Sequence, residues 1–161
     1  TLAGQRGSAA AAAPTWNNLP AGLGDLTQPE IVAAASDEQL RAAGLSRQKA
    51  SYARSLADEV TNGRLDLASL SDDDEEAIAQ LVHIKGIGRW SAEIYLLFAE
   101  GRPDIWPAGD LAVQIEIGRI MGHAERPSEK LTREIAECWR PHRGAAAILA
   151  WHHYKAEMNV I

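Results

Sequence analysis

A lone carboxylate and a glycine turn are the parts of this sequence best placed to do chemistry. Asp110 stands eighteen residues beyond Ala92, the last residue of Leu81-Val-His-Ile-Lys-Gly-Ile-Gly-Arg-Trp-Ser-Ala92. Within that stretch Gly86-Ile87-Gly88 interrupts two helix-like patterns, and the spacing predicts a turn too tight for a side chain at either glycine. Such a turn bares the first backbone N–H groups of the following helix, where a phosphate can bind. Trp90, just past the turn, offers a face for stacking. Asp110, before Leu-Ala-Val-Gln-Ile, suits a helix N-cap, a position whose dipole favours negative charge. Together these residues point to a chain that grips a DNA backbone and performs chemistry on one nucleotide.

The elements that must hold these residues read as helices. Ala, Leu, Glu and Arg dominate and alternation is brief, so an all-α fold is expected, packed as an irregular helical bundle. Thr1 to about Ala13 reads as the remainder of an Ala-rich helix ended by Pro14, with upstream residues expected before Thr1, and residues 17–24 read as a loop. Ser36-Asp-Glu-Gln39 is a capping box for a short helix ending near Gly44. Ser46 caps a longer helix whose apolar positions Ala50, Ala53, Leu56, Ala57 and Val60 keep helical spacing until Asn62-Gly63. Ser71 is expected to cap the helix leading into the glycine turn, and a helix from about Arg89 to Glu100 follows it. A further helix runs from Asp110 to about Gly122, then two more over roughly 128–139 and 143–157, separated by Pro141.

Composition sets the outer bounds. At 161 residues with 46% hydrophobic content the chain makes one domain, or two small lobes sharing an interface, and no apolar run is long enough to span a membrane. Cys138 is the one cysteine, which excludes an internal disulfide, a four-cysteine zinc site and a cysteine-ligated iron–sulfur cluster, and fits a reducing cytoplasm. The net charge of −6 lacks the overall basicity usual for a duplex binder. Its distribution matters more: Asp72 to Glu76 put five acids in one block, suited to a helix N-terminus, while Arg140, Arg143 and Lys155 cluster near the C-terminus with His142, His152 and His153. The histidines lack partners at metal-ligand spacing and read as surface or helix-packing residues.

The glycine turn alone fits any tight αα-hairpin. Its context is more specific: Ile84, Gly-Ile-Gly, Trp90-Ser91-Ala92 leading an apolar helix, then Pro107-Ala-Gly-Asp110. This pattern resembles the helix–hairpin–helix DNA glycosylase superfamily, with its Gly/Pro-rich loop and aspartate, and within it the 3-methyladenine DNA glycosylase II family and its yeast relatives. Gly4-Gln5-Arg6-Gly-Ser8 resembles that family's Gly-Gln-x-x-Ser helix, and Trp139-Arg-Pro141-His-Arg143 with Trp151 resembles its C-terminal helix pair. The resemblance runs from Gly4 to Trp151 and implies one all-α, two-lobed glycosylase domain with the nucleotide pocket in the cleft and the helix–hairpin–helix at about residues 72–101.

The resemblance also implies roles. Asp110 would stabilise positive charge on the sugar as the N-glycosidic bond breaks, or orient the attacking water. Family members that also cut the strand carry a Schiff-base lysine where this chain has Trp90, so a monofunctional enzyme without lyase activity is expected. Trp90 and Trp151 are candidate pocket walls for a cationic alkylated purine, with core packing as the alternative; Trp106 and Trp139 read as core. Lys85, Gly86, Ile87, Gly88, Arg89 and Arg143 are candidate DNA contacts. Arg6 occupies the wedge position, where the family usually has Gln or an apolar residue; arginine there can stack or pair with phosphate. The implied activity is base-excision repair by a monomer acting on damaged duplex DNA at a bacterial nucleoid, with no membrane and no cofactor beyond a structural monovalent cation on the hairpin carbonyls. The rival expectation is a non-catalytic helix–hairpin–helix module that binds DNA or a protein.

Overall fold

The computed structural model describes residues 28–158. The Ala-rich helix expected at the N-terminus, the loop after it, Trp16 and the wedge position Arg6 lie outside the described residues. Among those described, eight α-helices and one short 3₁₀ turn appear and no strand, so the fold is all-α as the composition predicts. No helix there is long and apolar enough to cross a membrane. The chain divides into two compact units, residues 1–91 and 92–161.

In the first unit, α1 (Pro29–Ala34) and α2 (Asp37–Ala42) pack against α3 (Arg47–Thr61), and α4 (Asp74–Val82) leads into the glycine hairpin. Leu40, Ala43, Leu45 and Ala50 form the core beneath the first three helices. The Ser36 capping box forms as predicted: its hydroxyl accepts the Gln39 N–H at 3.1 Å, and the Gln39 side chain accepts the Ser36 N–H at 2.8 Å. Ser46 accepts the Lys49 N–H and starts α3. Two expectations change. Helix α4 is capped by Asp73, not Ser71, because the Asp73 carboxylate lies three residues before Glu76 and accepts its N–H at 2.9 Å; the Ser71 hydroxyl instead accepts from the Asp73 N–H and donates to Glu76. Helix α1 is unanticipated: its six residues bury no side chain, too few to show a period, and only Pro29 at its start and Glu30 in its first turn mark it.

The second unit holds most of α5 (Arg89–Phe98), then α6 (Leu111–Ile120), α7 (Glu129–Ala136) running into a 3₁₀ turn at Glu137–Trp139, and α8 (Arg143–Met158). Val113 and Ile117 of α6 meet Ala147 and Ala150 of α8, with Trp106 and Ala136 completing the core. Trp106 is 3% exposed, donates its indole N–H to the Thr132 carbonyl at 3.1 Å, and meets Trp139 edge-on at 5.6 Å, so both take the core role expected of them. Small residues let α8 come close: a β-carbon on Gly144 would lie 2.7 Å from the Pro103 carbonyl oxygen.

Candidate functional site

Asp110 is set on a rigid loop. Pro107 and Ala108 are buried, the Asp110 N–H donates to the Pro107 carbonyl at 2.9 Å, and the buried Gln114 amide donates to the Ala108 carbonyl at 2.7 Å. Its carboxylate caps α6 as predicted, accepting the Val113 N–H at 3.0 Å. The same oxygen, Oδ1, accepts the indole N–H of Trp151 at 3.0 Å. Two residues forty-one positions apart, both singled out from sequence, are thus brought together in one unit. Trp151 also leans on the core and lies 5.6 Å from the ring of Phe98, tilted by 32°. Phe98 is 59% exposed, an aromatic surface beside the carboxylate's partner that sequence reasoning missed. Its one signal was being the chain's only phenylalanine, at the end of an apolar helix.

A second link joins the helices that carry Asp110 and Trp151. Glu116 of α6 is fully buried, and its carboxylate contacts Nδ1 of His153 on α8 and Arg119, the latter at 3.4 Å. A buried carboxylate without such partners would be costly. His153 is therefore a packing residue in the sense expected, yet its buried partner gave no sign in the sequence.

The glycine hairpin belongs to the first unit. Ile84, 3% exposed, anchors it, and the Ile87 N–H donates to the Ile84 carbonyl at 3.0 Å. Gly86 has φ +91°, and a β-carbon there would lie 2.1 Å from Cγ of Tyr52, so the ring of α3 lies directly on the hairpin backbone. The expectation for Gly88 needs correction: a β-carbon there would meet nothing within 4 Å, so the turn itself does not demand a glycine. What Gly88 leaves is open space at the start of α5. Trp90 is 40% exposed on the same side as a cavity of about 510 Å³, lined by Ser46, Gln48, Lys49, Tyr52, Gly86, Gly88, Trp90 and Ser91.

The candidate basic contacts divide. Lys85 is exposed on the far side of Gly86 from α5. Arg89 pairs with Glu75 of the acidic block through both guanidinium arms, one at 2.9 Å. Such an exposed pair is worth less than about 1 kcal/mol, so a phosphate can compete for Arg89. Arg143 is held among carboxylates. Its side chain is 12% exposed and grips Asp104 through Nε at 2.8 Å and Nη2 at 2.9 Å, with Glu137 at 3.3 Å. Arg140 pairs with the same two acids. The arginines of the basic cluster near the C-terminus are thus matched by carboxylates that sequence proximity did not reveal. Burial pushes the Asp104 carboxyl up, but hydrogen bonds from the Arg143 side chain and N–H, and the charges of Arg143 and Arg140, outweigh it and hold it below its usual range.

Among the described residues no group of three or more His, Cys, Asp or Glu could hold a metal ion. A cation at the hairpin would rest on backbone carbonyls, of which that of Ile84 already accepts a hydrogen bond.

A family model described as the HhH-GPD superfamily of base excision DNA repair proteins matches residues 1–141. DNA-3-methyladenine glycosylase 1 of Schizosaccharomyces pombe is 31% identical over 130 residues, covering 80% of this chain and 57% of that protein. The crystal structure of a DNA-3-methyladenine glycosidase from Bacillus halodurans superposes with a TM-score of 0.85 at 32% identity, over 95% of this chain and 71% of that one. A 3-methyladenine DNA glycosylase of S. pombe, solved in complex with abasic DNA, gives 0.80 at 29% identity over 96% and 77%. The chain spans about half the length of the curated relatives it matches, between 44% and 59% for the first three.

Proposed function

The chain belongs to the HhH-GPD superfamily of base excision DNA repair proteins, and on that premise we propose that it is a monofunctional DNA glycosylase that hydrolyses the N-glycosidic bond of alkylated purines and leaves an abasic site. The observation that carries this reading is the Asp110 carboxylate, at a helix start and gripped through one oxygen by the Val113 N–H and the Trp151 indole N–H. A preorganised anion of this kind stabilises the oxocarbenium-like charge that develops at C1′ as the base departs, or orients the water that attacks it. 3-Methyladenine and 7-methylguanine are cationic and leave readily, so little general-acid help is needed. Their charge is attracted to indole faces such as that of Trp151, which lies beside Asp110. Trp90 in the lysine position leaves no amine to form a Schiff base there, which supports hydrolysis without strand cleavage.

The hairpin supplies the grip on DNA. Backbone N–H groups at the start of α5, with the open approach over Gly88, suit a phosphate, and Lys85 and Arg89 add charge. A monovalent cation on the hairpin carbonyls would add to that charge, and no chemical step depends on it. The S. pombe relative held on abasic DNA supports the same partner. The test is release of methylated purines from an alkylated duplex, with Asp110→Asn alongside. The reading expects release by the unmutated protein and loss of at least about a hundredfold in the variant. No release by the unmutated protein would leave a non-catalytic DNA-binding module as the better account.

A further inference from the structure

The cavity beside the hairpin has a second wall that the hairpin motif does not include. Among the described residues that line it, Ser46, Gln48, Lys49 and Tyr52 come from the start of α3. Among the described residues no carboxylate lines it, although acids outnumber bases in the chain by twenty-two to sixteen. Its polar residues are of the types an anion recruits: Lys49, Gln48 and two serines, beside the first turn of α5 at Trp90 and Ser91. Trp90 and Tyr52 add flat apolar surface of the kind a sugar or base covers. The wall is also fixed in place. Tyr52 lies on Gly86, its hydroxyl accepts a hydrogen bond from the Gln48 amide, and the Ser46 hydroxyl accepts from the Lys49 N–H. At about 510 Å³ the space exceeds what one phosphate held at the turn would fill, and is of the size that takes a nucleotide unit.

We propose that the first turn of α3 forms, with the hairpin, a two-walled channel for the DNA strand, in which Lys49 contacts a phosphodiester and Gln48 hydrogen-bonds the same stretch of backbone. The inference rests on the glycosylase reading only for the identity of the strand. A phosphate contact has a signature that a merely structural lysine lacks: neutralising one phosphate contributes about 0.9 to the slope of log K against log salt concentration.

The experiment is therefore a salt titration of binding to an undamaged duplex, with Lys49→Met, which keeps the aliphatic stem, Lys49→Arg, which keeps the charge, and Lys130→Met in the second unit as control. Lys49→Met is expected to weaken binding at low salt and flatten the slope by about 0.9, Lys49→Arg to restore the slope, and Lys130→Met to leave it alone. In the unmutated protein, duplex DNA is expected to shield Lys49 from an amine-reactive label while Lys130 stays reactive, a measurement that needs no variant to fold. An unchanged slope in Lys49→Met, or Lys49 labelled equally with and without DNA, overturns the channel and leaves the glycosylase reading standing. A flattened slope in a protein that releases no base would overturn the glycosylase reading alone.

Discussion

Asp110 and Trp151 form the pair on which the proposed chemistry rests, and the hydrogen bond between them makes a sharp prediction. Trp151→Phe keeps a ring against Phe98 but removes the indole N–H that donates to Oδ1, while the Val113 N–H still donates to that atom. A hydrogen bond to a charged group is worth roughly 1.5–3 kcal/mol, so single-turnover base release should slow by about ten- to a hundredfold. Affinity for the intact duplex should hold, since in the proposed reaction the interaction serves the reacting sugar. A variant whose affinity falls while its rate is unchanged would make Trp151 a DNA contact and not a positioner of the carboxylate. The cap at Asp110 was legible in the sequence because capping is local, three residues from donor to acceptor. Phe98 was not: its meeting with Trp151 depends on packing across fifty-three positions.

At the scale of elements, local signals predicted well and tertiary ones did not. The capping box, glycine stops and helical spacing named every helix from α2 on, while α1 was too short to carry a period and Asp73 displaced Ser71 at the cap of α4. The two hairpin glycines read alike in sequence but differ in space, because only Gly86 has a tyrosine ring against it. Gly86→Ala should therefore lower the unfolding free energy by about 2–4 kcal/mol, combining left-handed backbone strain with the clash on Tyr52, whereas Gly88→Ala should stay within about 0.5 kcal/mol. Urea unfolding of the two variants checks this, and equal midpoints would contradict it. The start of α8 offers a pH test. Asp104 has a depressed native value, so its contribution to stability is complete above the usual carboxylate range and is lost as pH falls through that range to the native value. Replacing Arg143 by Met should destabilise the protein at neutral pH and flatten the acid limb of its stability curve; an acid limb of unchanged steepness would count against the Asp104–Arg143 link.

For the whole molecule the acidic balance is the feature hardest to reconcile with DNA, and pairing resolves part of it. Asp73 and Glu75 are spent on a helix cap and on Arg89, and the C-terminal arginines are spent on Asp104 and Glu137, so net charge says little about the face offered to a phosphate. Sequence could count these charges but not pair them, since the partners of Arg143 lie as far as thirty-nine residues away. The fold class and family were legible because helical period, the hairpin and the Asp110 loop are local patterns that the family repeats. The central claim joins that fold to one reaction: Asp110 supports hydrolysis at C1′, and Trp90 withholds the amine that would cut the strand. It is tested most directly by incubating a duplex with one 7-methylguanine and following the strand itself. The account predicts an intact strand that breaks only after alkali, no borohydride-trapped protein–DNA adduct, and at least about a hundredfold slower formation of the abasic product with Asp110→Asn. A strand cut without alkali, a trapped adduct, or an abasic site formed equally well by Asp110→Asn would contradict it.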